Sequence, residues 1–194
     1  QAGSSDNETA FASLIDVLAN GRAMGIFPEG LSHDESQLAA LKTGAARIAF
    51  GLATSRPGTP AVIVPCGLTY IHPKRSRSRV LLEFGAPLTV GDEDLARHKE
   101  DPRDAVRALT VRLDAALRSL TINAPDWETV RVLDGVRRLY QPARVTIEAR
   151  ALLARRFTSV YATVKDDPET QILYQRMEAH LTRLDDAGLT DRDL

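Results

Sequence analysis

Apolar positions recur at helical spacing near the start of the chain, in short runs through its middle, and at helical spacing again over its second half. Ser5-Asp-Asn-Glu8 reads as a capping box, with Ser5 as N-cap. Phe11, Leu14, Ile15 and Leu18 then predict a helix that Asn20-Gly21 stops. The run Ala23 to Phe27 predicts a short buried strand, broken at once by Pro28-Glu29-Gly30. From Ser36 to Thr54, Leu38, Leu41, Ala45, Ile48 and Leu52 share one side of an expected helix, and Gly44, Ala45, Ala46 and Ala49 would let it lie close to a sheet. Ala61 to Val64 and Val80 to Phe84 are strand candidates, and Gly67 to Ile71 extends the first of them past Pro65.

The later pattern is helical throughout. Asp101-Pro102 is an N-cap followed by proline at the first helical position, and Val106, Leu109, Leu113, Leu117 and Leu120 form the apolar stripe behind it. Asp126 to Tyr140, Ile147 to Val164 and Glu169 to Leu184 give three more helices. Trp127 is expected to pack this helical annex against the sheet, and Cys66 to be a small core residue beside Pro65. The expected fold class is therefore α/β: an α/β layer with an incomplete sheet over residues 1–91, then a helical segment over 92–194.

Composition narrows the function classes. A chain of 194 residues, 43% hydrophobic and 26% charged, has the make-up of a globular protein with one sizeable core or a core plus a helical annex. Its net charge is −1, so no global field draws it to nucleic acid. With one cysteine it forms no internal disulfide. Residues 1–91 carry a net +1 and the remainder a net −2, so neither half is a polybasic or acidic tail. Glycine-rich dinucleotide and phosphate loops, the zinc-protease pair of histidines and the serine nucleophile elbow are all missing from the sequence. Ser32-His33-Asp34 spells the letters of a triad, but three adjacent residues cannot converge as a triad must.

The chemistry that remains sits at Gly25 to Asp34. A strand, a sharp turn and a polar cluster in succession are how an open α/β sheet delivers polar groups to its carboxyl edge. Proline fixes the exit direction there and glycine permits positive φ or a close ligand approach. Glu29, held between them, suits hydroxyl groups as an acceptor.

Ile26-Phe-Pro-Glu-Gly30, then Leu41-Lys-Thr-Gly44, then Val64-Pro-Cys-Gly67 resemble, in that order, the glycerolipid acyltransferases of the PlsC-like superfamily. Phe-Pro-Glu-Gly is similar to that family's third motif and Val-Pro to its fourth. Pro-Glu-Gly-Leu-Ser-His-Asp34 and the run Thr121 to Thr129 with Arg137 to Tyr140 resemble the glycerol-3-phosphate branch. The resemblance implies acyl transfer from a thioester, acyl-CoA or acyl carrier protein, to glycerol 3-phosphate or 1-acylglycerol 3-phosphate. A histidine in a His-x4-Asp motif acts there as general base on the acceptor hydroxyl, and the thiolate leaves. It implies no cofactor or metal, and a location peripheral to the cytoplasmic face of a membrane. The substrate-binding residues it assigns are Phe27, Pro28, Glu29, Gly30, Ser32, His33 and Lys42. Glu29 would position hydroxyls rather than meet phosphate, which it repels.

Two features depart from that pattern. Only 26 residues precede Phe27 and none is histidine, so the catalytic residues are expected upstream of this chain. His180-Leu-Thr-Arg-Leu-Asp185 has the letters but lies in a predicted helix far downstream. The chain opens on Gln1, and the expectation is a piece of a longer enzyme, inactive alone. The rival is a non-catalytic module that binds a lipid surface or carrier protein. Arg75, Arg77 and Arg79 alternate beside Lys74, so on a strand they would form a basic stripe for acyl-donor or headgroup phosphates, and at a hairpin tip a solvated cluster.

Overall fold

In the computed structural model, residues 2–70, 76–141 and 145–189 are described, with the backbone alone for 2–8. Most are helical, with two small strand pairs among them. The chain divides into two compact units. The first gathers Gln1–His33, Ala39–Cys66 and Phe84–Leu117, and the second Asp34–Leu38, Gly67–Glu83 and Arg118–Leu194.

The first unit is built on two helices, α1 (Ala2–Ala19) and α2 (Gly44–Ser55). α1 begins at Ala2, so Ser5 lies inside the helix and is not its cap. Small residues on α2 allow close approach: a methyl group added at Gly51 would stand 2.5 Å from Ile15 Cδ1 of α1. Ala46, Ala49, Phe50 and Leu52 of α2 join Ala61, Val90, Ala105 and Leu109 in one buried cluster. Strands β1 (Val62–Ile63) and β4 (Leu88–Thr89) pair antiparallel, Val62 opposite Thr89 and Ile63 opposite Leu88. Helix α3 (Asp92–Glu100), which the apolar pattern does not predict, buries no residue; charge makes it, with acids in its first turn and Arg97, His98 and Lys99 in its last. Helix α4 (Pro102–Leu120) follows, with Ala105, Leu109, Leu113 and Leu117 buried at helical spacing.

Two expected elements fail here for stated reasons. Ala23 to Phe27 forms no strand, since no other strand pairs with it among the described residues, and Phe27 is 80% exposed. The helix expected from Ser36 starts only at Gly44. The backbone ahead of it is already engaged: the Leu38 N–H donates to Asn123 Oδ1 (3.0 Å), the Ala39 N–H to Glu29 Oε2 (2.7 Å) and the Lys42 N–H to the Pro28 carbonyl (2.7 Å). Of these groups a helix from Ser36 would need the Lys42 N–H, for the Leu38 carbonyl four residues before it; the Leu38 and Ala39 N–H groups would lie in its first turn without intrahelical partners.

The second unit pairs β2 (Cys66–Tyr70) with β3 (Val80–Phe84), apart from the end residues Cys66 and Phe84, and adds α5 (Trp127–Tyr140), α6 (Ile147–Val164) and α7 (Pro168–Asp186). Asp126, Thr146 and Asp167 cap these helices, accepting from the N–H groups of Thr129, Ala149 and Thr170. Val132 and Leu133 of α5, Ala151 of α6, and Leu181 and Leu184 of α7 are buried. Gly135 lets α7 come near: a methyl there would meet Met177 Sδ and Leu181 Cδ1 at 3.2 Å. The side chain of Arg137 is 1% exposed, which is tolerable because Asp134 and Gln141 accept its hydrogens. Trp127 departs from expectation: it is 48% exposed, and its indole N–H donates to the Asp34 carbonyl at 2.7 Å. Cys66 is half-buried, while Pro65 beside it is the fully buried residue.

Candidate functional site

The Pro28-Glu29-Gly30 corner is closed by its own backbone. The Gly30 N–H donates to the Phe27 carbonyl at 3.1 Å, and Gly30 sits at φ 66°, where a side chain is strained. A methyl added there would lie 3.3 Å from Lys42 Cδ and Cε, so the aliphatic stem of Lys42 runs across the turn. Lys42 is tied to the corner through its backbone as well, and its side chain is exposed.

Glu29 is the centre of this arrangement. Its Oε2 accepts from the Ala39 N–H at 2.7 Å and lies 2.6 Å from His33 Nε2, with the two side chains 23% and 20% exposed. An ionised carboxylate can only accept, so Nε2 carries the hydrogen of that contact. The other oxygen, Oε1, bonds to none of the described residues, and no buried side-chain oxygen of theirs lacks a partner; Oε1 is therefore open to solvent. One oxygen fixes the group and its twin faces outward. Phe27, Leu31 and Ser32 are exposed around the corner, while Pro28 is half-buried.

The structure thus brings Phe27, Pro28, Glu29, Gly30, His33 and Lys42 together, with Ser32 in the loop between Gly30 and His33. Arg77 and Arg79 do not share a strand face. Arg77 lies in a turn at φ 57°, Arg79 precedes β3, and both are exposed; Arg75 and Lys74 fall outside the described residues. His180 and Asp185 lie on α7, where the Asp185 carboxylate takes a hydrogen bond from Arg131 Nη2 at 2.6 Å. Among the described residues no three His, Cys, Asp or Glu side chains cluster as metal ligands would.

Sequence reasoning missed the Ala39 amide, which carries no residue-type signal. It also missed how Asp34 to Leu38, the segment after His33, is held. Besides Trp127 and Asn123, the Ser36 hydroxyl donates to the Ala124 carbonyl at 2.8 Å and Arg118 Nη2 to the Leu38 carbonyl at 3.1 Å. The clue was Thr121 to Thr129, which the family pattern singled out without assigning it a task.

Residues 3–69 match the Acyltransferase family model. Beyond that segment, the chain is similar over nearly its whole length to glycerolipid acyltransferases of the family. The chain is 38% identical over 191 residues to the Saccharomyces cerevisiae protein named glycerol-3-phosphate O-acyltransferase 2, covering 97% of this chain and 26% of that protein. It is 34% identical over 191 residues to glycerol-3-phosphate O-acyltransferase 1 of the same yeast, with 96% and 25% covered. An uncharacterized acyltransferase of Schizosaccharomyces pombe is 34% identical over 180 residues, with 91% and 27% covered. The chain spans about a quarter of the length of these relatives. No solved structure matches it.

Proposed function

We propose that this chain is the acceptor-positioning part of an enzyme that moves a fatty acyl group from acyl-CoA or acyl carrier protein to glycerol 3-phosphate or 1-acylglycerol 3-phosphate. Residues 1–91 form the C-terminal part of its α/β acyltransferase domain and 92–194 a helical extension. In the reaction the acceptor hydroxyl adds to the thioester carbonyl, the C–O bond forms, the C–S bond breaks, and the thiolate departs with the hydroxyl proton. That proton needs a base, and these residues do not include the family's His-x4-Asp ahead of the corner.

The observation that carries the reading is the division of labour within Glu29. Oε2 is fixed by His33 and Ala39, so Oε1 is aimed without freedom to relax, ready to accept from a glycerol hydroxyl. Lys42, across Gly30, supplies the cation for the acceptor's phosphate, while His33 holds Glu29 in place. Exposed Phe27 and Leu31 offer apolar contact to an acyl chain or a lipid surface. Arg75, Arg77 and Arg79 are assigned to phosphates of the donor or of headgroups. Among the described residues no helix is long and apolar enough to cross a membrane, and the proposed location is peripheral to the cytoplasmic face.

The test is acyl transfer from a radiolabelled acyl-CoA to glycerol 3-phosphate by the complete polypeptide containing these residues and by the 194 residues alone. The complete enzyme turns over and the 194 residues do not. Glu29→Gln in the complete enzyme lowers kcat/KM for glycerol 3-phosphate by about a hundredfold, the scale of a lost charge-assisted contact in a positioned site. Turnover by the isolated chain, or an unaffected Glu29→Gln enzyme, overturns the proposal.

A further inference from the structure

A second feature of the first unit has no part in the Glu29 corner. Arg47 of α2, His98 of α3, and Arg103 and Arg107 of α4 line a cleft of about 530 Å³, within the ordinary range of ligand sites. Its wall is apolar at Phe50 and Val106, and the Phe50 ring stacks on His98 with centroids 4.5 Å apart and planes 13° from parallel. The Arg47 guanidinium lies 4.7 Å over the Phe11 ring. Among the described residues no carboxylate lines the cleft.

Three other arginines of this unit are neutralised. Arg56 holds Asp16 at 3.5 Å, Arg97 holds Asp104 at 2.6 Å and Arg112 holds Asp94 at 2.7 Å. The guanidiniums of Arg47, Arg103 and Arg107 have no ion-pair partner among the described residues. The nearby Asp101 feels the charges of Arg107 and Arg103 but forms no ion pair with either; its Oδ1 accepts the N–H groups of Arg103 and Asp104. Arg103 and Arg107 are four residues apart in the first turns of α4, where like charges repel each other and cations oppose the helix dipole. The attractions these cations do have, of Arg107 and Arg103 for exposed Asp101 and of Arg47 for the Phe11 ring, are weak surface ones, and an anion in the cleft would offset the repulsion that remains.

We propose that this cleft binds a phosphorylated small molecule bearing at least two negative charges, with any alkyl portion against Val106. Guanidinium forks match phosphate oxygens in pairs, and the stacked His98 keeps a donor at the rim. The proposal stands without the acyl-transfer reading.

Calorimetric titration of the chain with inorganic pyrophosphate at low ionic strength tests it, beside flotation with phosphatidylcholine vesicles containing phosphatidate. Pyrophosphate binding assigns a soluble ligand, and binding to the vesicles alone assigns a lipid headgroup. In either arm Arg47→Gln, Arg103→Gln and Arg107→Gln each weaken binding about tenfold or more. Arg156→Gln, an equal charge change on α6, leaves it unaltered, as does Glu29→Gln; loss through Glu29 alone would implicate the corner instead and overturn this site. The triple arginine variant melts no lower than the parent in phosphate-free buffer. A lower melting point would make the arginines structural and overturn the proposal, as would equal binding by that variant, or no binding in either arm.

Discussion

Asp134 and Glu29 are exposed to nearly the same degree, 24% and 23%, yet the protein treats them in opposite ways. Asp134 is saturated with cations: Oδ1 takes Arg137 Nε at 2.9 Å, Oδ2 takes Arg138 Nη2 at 3.0 Å, and Arg150 lies 3.8 Å away. Burial pushes its carboxyl up, but the bond and charge of Arg137, with Arg138 and Arg150 behind, outweigh it and hold the group below its ordinary value. Glu29 meets one imidazole and one amide, both on the same oxygen. A carboxylate whose acceptor sites are all spent can only hold a fold together. One with an oxygen to spare, rigidly aimed, can also hold a ligand.

The sharpest way to break this comparison is Asp134→Ala. It leaves Arg137 buried without its counter-charge, and chemical denaturation should show a loss of about 3–5 kcal/mol. Replacing Asp134 and Arg137 together by Leu and Met should recover most of it. Acid should act on the same group. Because its folded pKa lies below the unfolded one, its contribution is complete above about pH 4 and fades as pH falls through the folded value. A denaturation midpoint flat with pH across that acid range would contradict the saturation of Asp134.

Glu29→Ala should cost less, about 1–3 kcal/mol, since it orphans the partly buried Ala39 N–H but no buried cation. Its signature is local: faster hydrogen exchange at Ala39, with α5 to α7 unchanged. Gly30→Ala should cost least, about 1 kcal/mol for a side chain at φ 66°. A loss from Glu29→Ala as large as that from Asp134→Ala would erase the distinction between the two carboxylates.

The helices of the second half were legible because their signals are local. Asp126 precedes its apolar stripe, and Trp127 to Tyr140 formed as the spacing foretold. The Pro-Glu-Gly corner was legible for the same reason, since proline and glycine write their dihedrals into the sequence. What escaped depends on partners distant in the chain. Leu38 and Leu41 keep helical spacing, but Asn123 lies 85 residues from the Leu38 amide it binds, and no local rule announces that partner. Ala23 to Phe27 has the composition of a strand, but a strand exists only through its neighbour. The arginine cleft was invisible because Arg47 and Arg107 are 60 positions apart, each an ordinary helix-surface cation when read alone.

The bare α-carbon of Gly30 decides more than one torsion angle. With no methyl to ride over, the lysine's methylene chain lies flat, and the height of its ammonium above the turn is set by an atom that is missing. Positions 30 and 42 should therefore behave as one heritable unit: a bulkier residue at the first would be tolerated only with a shorter or more pliant one at the second.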